Sequence, residues 1–306
     1  MRDTMHAHDG AGIAGRLLRA RYLVAQVTAL DAAAGRLLGE SQRFTDEAAR
    51  VFAGHALPPR DPAAVDAWRR ELAERLPGAG SLAERHAAFR RGAAVPEARV
   101  ETVFRAAVDW CRAASRAVLP LPEGETIAFS EASTGTWAGL SRPTGPRTSE
   151  LRVSRQGGAD AAHLLQLAAH EGVPGHHAQH VLAAAWLVER HGWHERQLLP
   201  AFGPHLLMAE GAADAGADLL LPLATRERVA AEVLLPAAGL AASLAPTLVR
   251  VERLAAGEVQ AEVDNYWAYA DLVVARLALG KGVDDILDTA IGTAPVDSPY
   301  TLDSLL

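Results

Sequence analysis

A single cysteine, Cys111, stands in a chain of 306 residues. This excludes an internal disulfide framework and any metal site built on several thiolates, so a bound metal has only histidine and carboxylate ligands to draw on. A lone thiol also fits a reducing compartment, and the expected location is the cytoplasm. Basic charge is in deficit, with 30 Lys and Arg against 37 Asp and Glu and a formal net charge of −7. The arginines are scattered along apparent helices without forming a basic stripe, so no nucleic-acid partner is expected. Long apolar runs are missing as well. No stretch approaches the ~20 residues that cross a bilayer. The opening MRDTMHAHDGAG lacks the apolar centre of a secretion signal, so no membrane partner is expected, and no pattern sets an oligomeric state.

What the chain does have is apolar residues, 49% of the total, enough to bury a large core. They return every three to four residues from Ile13 to Leu38 and from Val100 to Leu119, which predicts helices. Asp61-Pro62 reads as an N-cap followed by a first-turn proline, and Ser81 with Glu84 as a capping box. From Pro120 to Gly158 the texture changes to Thr, Ser, Gly and Pro. Two short runs there, Thr136 to Leu140 and Glu150 to Ser154, predict one β-hairpin. Helical rhythm resumes after Asp160 and lasts to about Ile291. The expected fold is mainly α, with a helical amino-terminal region over 1–118 and a second region over 119–306, joined in one continuous domain.

Four of the twelve histidines crowd into AAHEGVPGHHAQH, Ala168 to His180. A zincin places H-E-x-x-H on one helix, because residues four apart share a face and two imidazoles can then grip one ion while the glutamate activates water. Here the fifth position is Pro174, which lacks an amide donor and collides with the carbonyl of residue 170. The helix must kink or restart. A break at Pro174-Gly175 would return His176 to the vacated ligand place beside His170 and Glu171, with His177 turned roughly 100° away. An alternative pair, His176 and His180, is itself four residues apart on the helix after the break. His163, His191, His194 and His205 are isolated and read as structural.

His170-Glu171-Gly172-Val173-Pro174-Gly175-His176-His177 resembles the H-E-x-x-P-G-H-H signature of the bacterial family catalogued as domain of unknown function 885, whose members look like thermolysin-like zinc peptidases. The resemblance implies a zincin-like helical metallohydrolase with one small β-hairpin or sheet beside the active-site helix. The family's E-G-W-A motif supplies the third metal ligand, and Glu210-Gly211-Ala212-Ala213 resembles it, so Glu210 is implied as that ligand. Likeness extends from about Pro120 to the carboxyl terminus and includes Gly135 to Trp137. Some positions depart from the family. Ala212 replaces the motif's tryptophan, Ala215 and Ala217 replace an aromatic and an acid, and Tyr269-Ala270-Asp271-Leu272-Val273 stands where a P-G-Q turn is usual. These changes imply a reshaped pocket.

The cofactor expected from these residues is Zn2+, held by His170, His176 and Glu210 with a fourth position open, and Glu171 is the expected general base. Glu210, Asp214 and Asp218 follow at four-residue steps and share a helix face, where three acids repel unless positive groups lie near. Asp214 is placed to accept a hydrogen bond from a ligand imidazole. Candidates for stabilising an oxyanion are His177, Tyr266, Tyr269 and Arg276. The expected substrate is a peptide or a small molecule with an amide bond. The alternatives are a metabolite-specific hydrolase or lyase and a non-catalytic binding protein clipped by zinc.

Overall fold

Proline, capping residues and apolar spacing divide the chain into eleven α-helices and three strands among the residues described by the computed structural model: 2–40, 43–52, 62–132, 138–154, 158–198 and 203–260. The fold is mainly helical with a small sheet. Two compact units result, one of Met1–Pro58 with Leu198–Glu210, the other of Pro59–Gln197 with Gly211–Leu306.

In the first unit, α1 (Arg2–Leu37) packs against α2 (Phe44–Val51). Ala29, Ala32 and Ala33 of α1 are buried, and such small side chains let two helices approach closely. Arg36 pairs with Glu47 and Arg50 with Asp31 across the same seam.

The second unit holds the main apolar core and carries His170 and His176. Its amino-terminal helices are α3 (Pro62–Arg75), α4 (Leu82–Ala93) and α5 (Val100–Ser115). The expected capping box opens α4: Ser81 Oγ accepts from the Glu84 amide, and the Glu84 carboxylate accepts from the Ser81 amide. Asp61, the expected cap of α3, lies outside the described residues.

The sheet is larger than a hairpin and differs from expectation in extent. Strand β1 (Thr126–Ala132) is an additional element, β2 spans Gly139–Gly145 and β3 spans Thr148–Ser154. The order is β1-β3-β2, with β3 parallel to β1 and antiparallel to β2. Pro143 disguised the middle of β2 in the sequence, yet an edge strand tolerates proline, and the register shifts between Pro143 and Gly145. Alternate residues of β3, Ser149, Leu151 and Val153, face inward. Leu151 and Val153 join Phe104 and Val108 of α5, with Leu164 and Leu165 of α6 (Ala161–Leu167), in one apolar core.

After α6 come α7 (His176–Ala183), α8 (Pro204–Leu220), α9 (Leu223–Val229), α10 (Leu235–Ala238) and α11 (Ala245–Gln260). Helices α11 and α3 enclose a second small cluster of Leu72, Leu76, Val251 and Leu254, closed by a two-pronged pair between Arg250 and Glu71. Among the described residues no helix is long and apolar enough to cross a membrane.

Candidate metal centre

Asp160 starts the helix that carries the motif, its Oδ1 accepting from the amides of Ala162 and His163, each at 2.9 Å. Pro174 then makes continuous α-helix impossible. The chain widens into a π-type turn over Ala168–Gly172, leaves helical geometry at Val173 and restarts at His176 as α7. Such turns recur where a helix must re-aim a functional side chain. Gly175 permits the restart. Its amide donates to the Ala169 carbonyl at 2.9 Å, and a Cβ there would overlap the carbonyl oxygen of His170. The His170 and His176 rings, six positions apart in sequence, consequently meet edge to face with centres 4.7 Å apart at 86°.

Helix α8 supplies the carboxylates. Gly216 lies against Pro174, where a Cβ would sit 3.0 Å from the proline Cγ, so the bare backbone lets α8 rest on the break in the motif. Asp218 accepts from Arg226 at 3.0 Å and pairs also with Arg253. Asp214 Oδ1 lies 2.9 Å from His170 Nδ1. Glu210, one turn earlier on this helix, offers a carboxylate oxygen to a group with His170 and His176 whose ligand atoms all lie within 4.8 Å of one another. Asp214 thus has an imidazole as its hydrogen-bond partner, and the charge of Asp218 is met by two arginines.

An ionised carboxylate only accepts, so a neutral His170 facing Asp214 carries its proton on Nδ1 and its lone pair on Nε2. Gln179 Oε1 does the same for His176, accepting from its Nδ1 at 3.2 Å. Two oriented neutral imidazoles and one carboxylate form a donor set that fits a divalent ion, and no thiolate is needed. Among the described residues His180 belongs to no group of three potential ligands. Its pKa is pushed down to about 4, first by burial and then by His176 and His177 nearby.

Glu171 follows His170 directly and only 8% of its surface reaches solvent. His177 is fully buried. Its Nε2 donates to Glu125 Oε2 at 3.0 Å, and its Nδ1 accepts from Ser149 Oγ at 2.9 Å. Both ring nitrogens are engaged, so neither is left for an oxyanion in this arrangement. Glu125 is buried too, and Arg112 donates to its Oε1 at 2.7 Å. Burial alone would raise the Glu125 carboxyl, but the hydrogen bonds from His177 and Arg112 outweigh it and hold the group below the usual carboxylate range. Nothing in the sequence pattern singled out Glu125 or Ser149, which lie 52 and 28 positions from His177. The expected residues Tyr266, Tyr269 and Arg276, and the Gly135 to Trp137 segment, lie outside the described residues. Cys111 is buried in the core with its thiol pushed up to about 12 by burial, which makes it an inert packing residue.

Comparison with protein-family models, with curated proteins and with solved structures finds no match to this chain. The site is therefore read from its own geometry.

Proposed function

We propose that the chain is a zinc-dependent hydrolase of a peptide or a small amide bond, related to the family its H-E-G-V-P-G-H-H segment resembles. His170, His176 and Glu210 would hold the ion. When bound, zinc supplies a Lewis acid that makes water acidic near neutral pH and polarises a carbonyl. The protein's part is proton handling. The Glu171 carboxylate takes the proton of the attacking water and hands it to the amine as the carbon–nitrogen bond breaks. Asp214 keeps the His170 proton on Nδ1 throughout. Tyr269 and Arg276 are the proposed donors to the oxyanion.

The observation that carries this reading is that Glu171 is buried and directly follows His170, one of three potential ligands whose atoms lie within 4.8 Å of one another. Burying a carboxylate costs several kcal/mol, on the order given by ion-transfer arguments, unless positive charge compensates, and an ion held by the adjacent His170 would supply such charge. A purely structural ion has no use for such a base. The amide preference draws support from β2, which packs against α7 and the turn bearing His170. Among the described residues it pairs with β3 alone, leaving an edge to which an extended main chain can add.

Glu171→Gln tests the proposal, since it keeps size and polarity while removing the base. Zinc affinity should stay within a few-fold, whereas hydrolysis of a responsive substrate from a peptide and acyl-amino-acid panel should fall by roughly 10²–10⁴. Unchanged turnover at full zinc occupancy would refute Glu171 as the base. Wild-type protein that takes up zinc but hydrolyses nothing on the panel would instead favour a metabolite-specific enzyme.

A further inference from the structure

Ser149, His177 and Glu125 form a hydrogen-bonded series that, by residue type alone, matches the arrangement of a serine nucleophile, its base and an orienting acid. Its burial rules that chemistry out. Ser149 and His177 have no solvent-accessible surface, and Glu125 is tied to Arg112 and Arg116. A substrate carbonyl cannot reach the hydroxyl. The proton arrangement is that of such a series with the two ring nitrogens exchanged, Nε2–H facing the carboxylate and Ser149 donating to Nδ1, so it is burial that excludes the chemistry.

Where the three residues lie gives them a different use. His177 is the second residue of α7 and follows the candidate ligand His176 directly. That helix starts at Gly175 with no side-chain cap to fix its first turn. Ser149 is on β3, and Glu125 immediately precedes β1, at the same end of the sheet, where Thr126 pairs with Thr148. One imidazole therefore bonds to two neighbouring strand segments at once. Its two nitrogens point in divergent directions, so rotation or sliding of α7 would break at least one bond. Residues one apart on a helix diverge by roughly 100°, and any rotation that moves His177 swings His176 by the same angle.

We infer that His177, Ser149 and Glu125 are positioning residues: a buried clamp that fixes the rotation of α7 against the sheet and thereby aims His176 at the metal. This rests on the proposed metal centre and assigns the second histidine of the H-H pair a duty distinct from ligation and catalysis. A buried polar network is a costly way to gain stability alone, since apolar packing of the same volume serves as well. It does specify one geometry, because every alternative leaves a buried donor or acceptor without a partner.

Cobalt(II) serves as the probe, since its visible absorption reports ligand geometry. The full-length wild type, Ser149→Ala and Glu125→Gln are titrated with zinc against a chelator and with cobalt, and the apo forms are melted. Ser149→Ala removes one bond of the clamp and no charge, so it remains informative if Glu125→Gln fails to fold. The clamp predicts that Ser149→Ala weakens zinc about tenfold, the lower end of what outer supporting bonds contribute, and alters the cobalt band in the folded protein. A lowered apo melting temperature with wild-type zinc affinity and an unchanged cobalt spectrum would mean that the network only stabilises the fold, and overturns the inference while leaving the metal centre intact. Failure of the wild type to bind either ion would overturn the metal centre and the clamp together.

Discussion

At position 175 the backbone passes so near the His170 carbonyl that any side chain is excluded. Gly175→Ala must displace the motif's own backbone, and a cost of at least about 3 kcal/mol is expected, the upper end of overpacking penalties. Zinc binding should weaken along with it. Gly211 is the contrasting case, a helical glycine in α8 with nothing within 4 Å of the place a methyl group would take. There alanine lowers the entropy of the unfolded chain, and Gly211→Ala should stabilise by about 0.5–1 kcal/mol. Urea unfolding of the two variants decides the matter, and equal effects would show that the close approach at 175 is not a constraint. The local sequence did announce this break, because Pro174 forbids helix and Gly175 follows it. It did not announce His177. Adjacent histidines look alike in a motif, and only the strands that meet the second one distinguish the two.

Among the elements, the sheet and α7 depend on a charge buried between them. Glu125 has a pKa below its unfolded value, so its ionised form contributes stability that is fully present above the unfolded pKa of about 4.3 and is lost as pH falls through the lower folded value. Glu125→Gln should therefore destabilise the apo protein at pH 7. The gap between variant and wild type should narrow as pH drops from about 5 toward 3. Denaturant unfolding of both across that range is the measurement, and a gap independent of pH would show that the carboxylate's charge plays no part. Helices were the legible elements: the rhythm over 13–38 corresponds to α1, that over 100–119 to α5, and the Ser81–Glu84 box to the start of α4. The sheet was harder to read. Strand β1 is short and only Ile127 and Phe129 alternate clearly, while Pro143 in β2 mimics a loop. Parallel pairing of β1 with β3 joins segments 22 residues apart, which no local pattern records.

For the whole molecule, the proposed ligands come from distant parts of the sequence: His170 from a π-type turn, His176 from the first position of α7 and Glu210 from α8. The unfolded chain does not hold such a set together, so an ion that binds the folded form alone must raise its stability by mass action. At a free zinc concentration a hundredfold above Kd the gain is about 2.7 kcal/mol. For a chain of 306 residues, with an unfolding entropy of about 2.1 cal/mol/K per residue, that corresponds to a rise in melting temperature of about 4 °C. A chelator should remove the rise without changing the helical circular dichroism at low temperature, because the apolar core of α5, α6 and β3 does not include the ligands. His170→Ala, His176→Ala and Glu210→Ala should each abolish the zinc-dependent rise, whereas His180→Ala should retain it. That last variant also separates the two histidine pairs. His180 has the helical spacing to partner His176, but it is His170, brought back by the Pro174-Gly175 break, whose ring lies against that of His176. If His180→Ala lost the rise and His170→Ala kept it, the ligand pair would lie entirely within α7, and the contact between Asp214 and His170 would be an ordinary surface hydrogen bond.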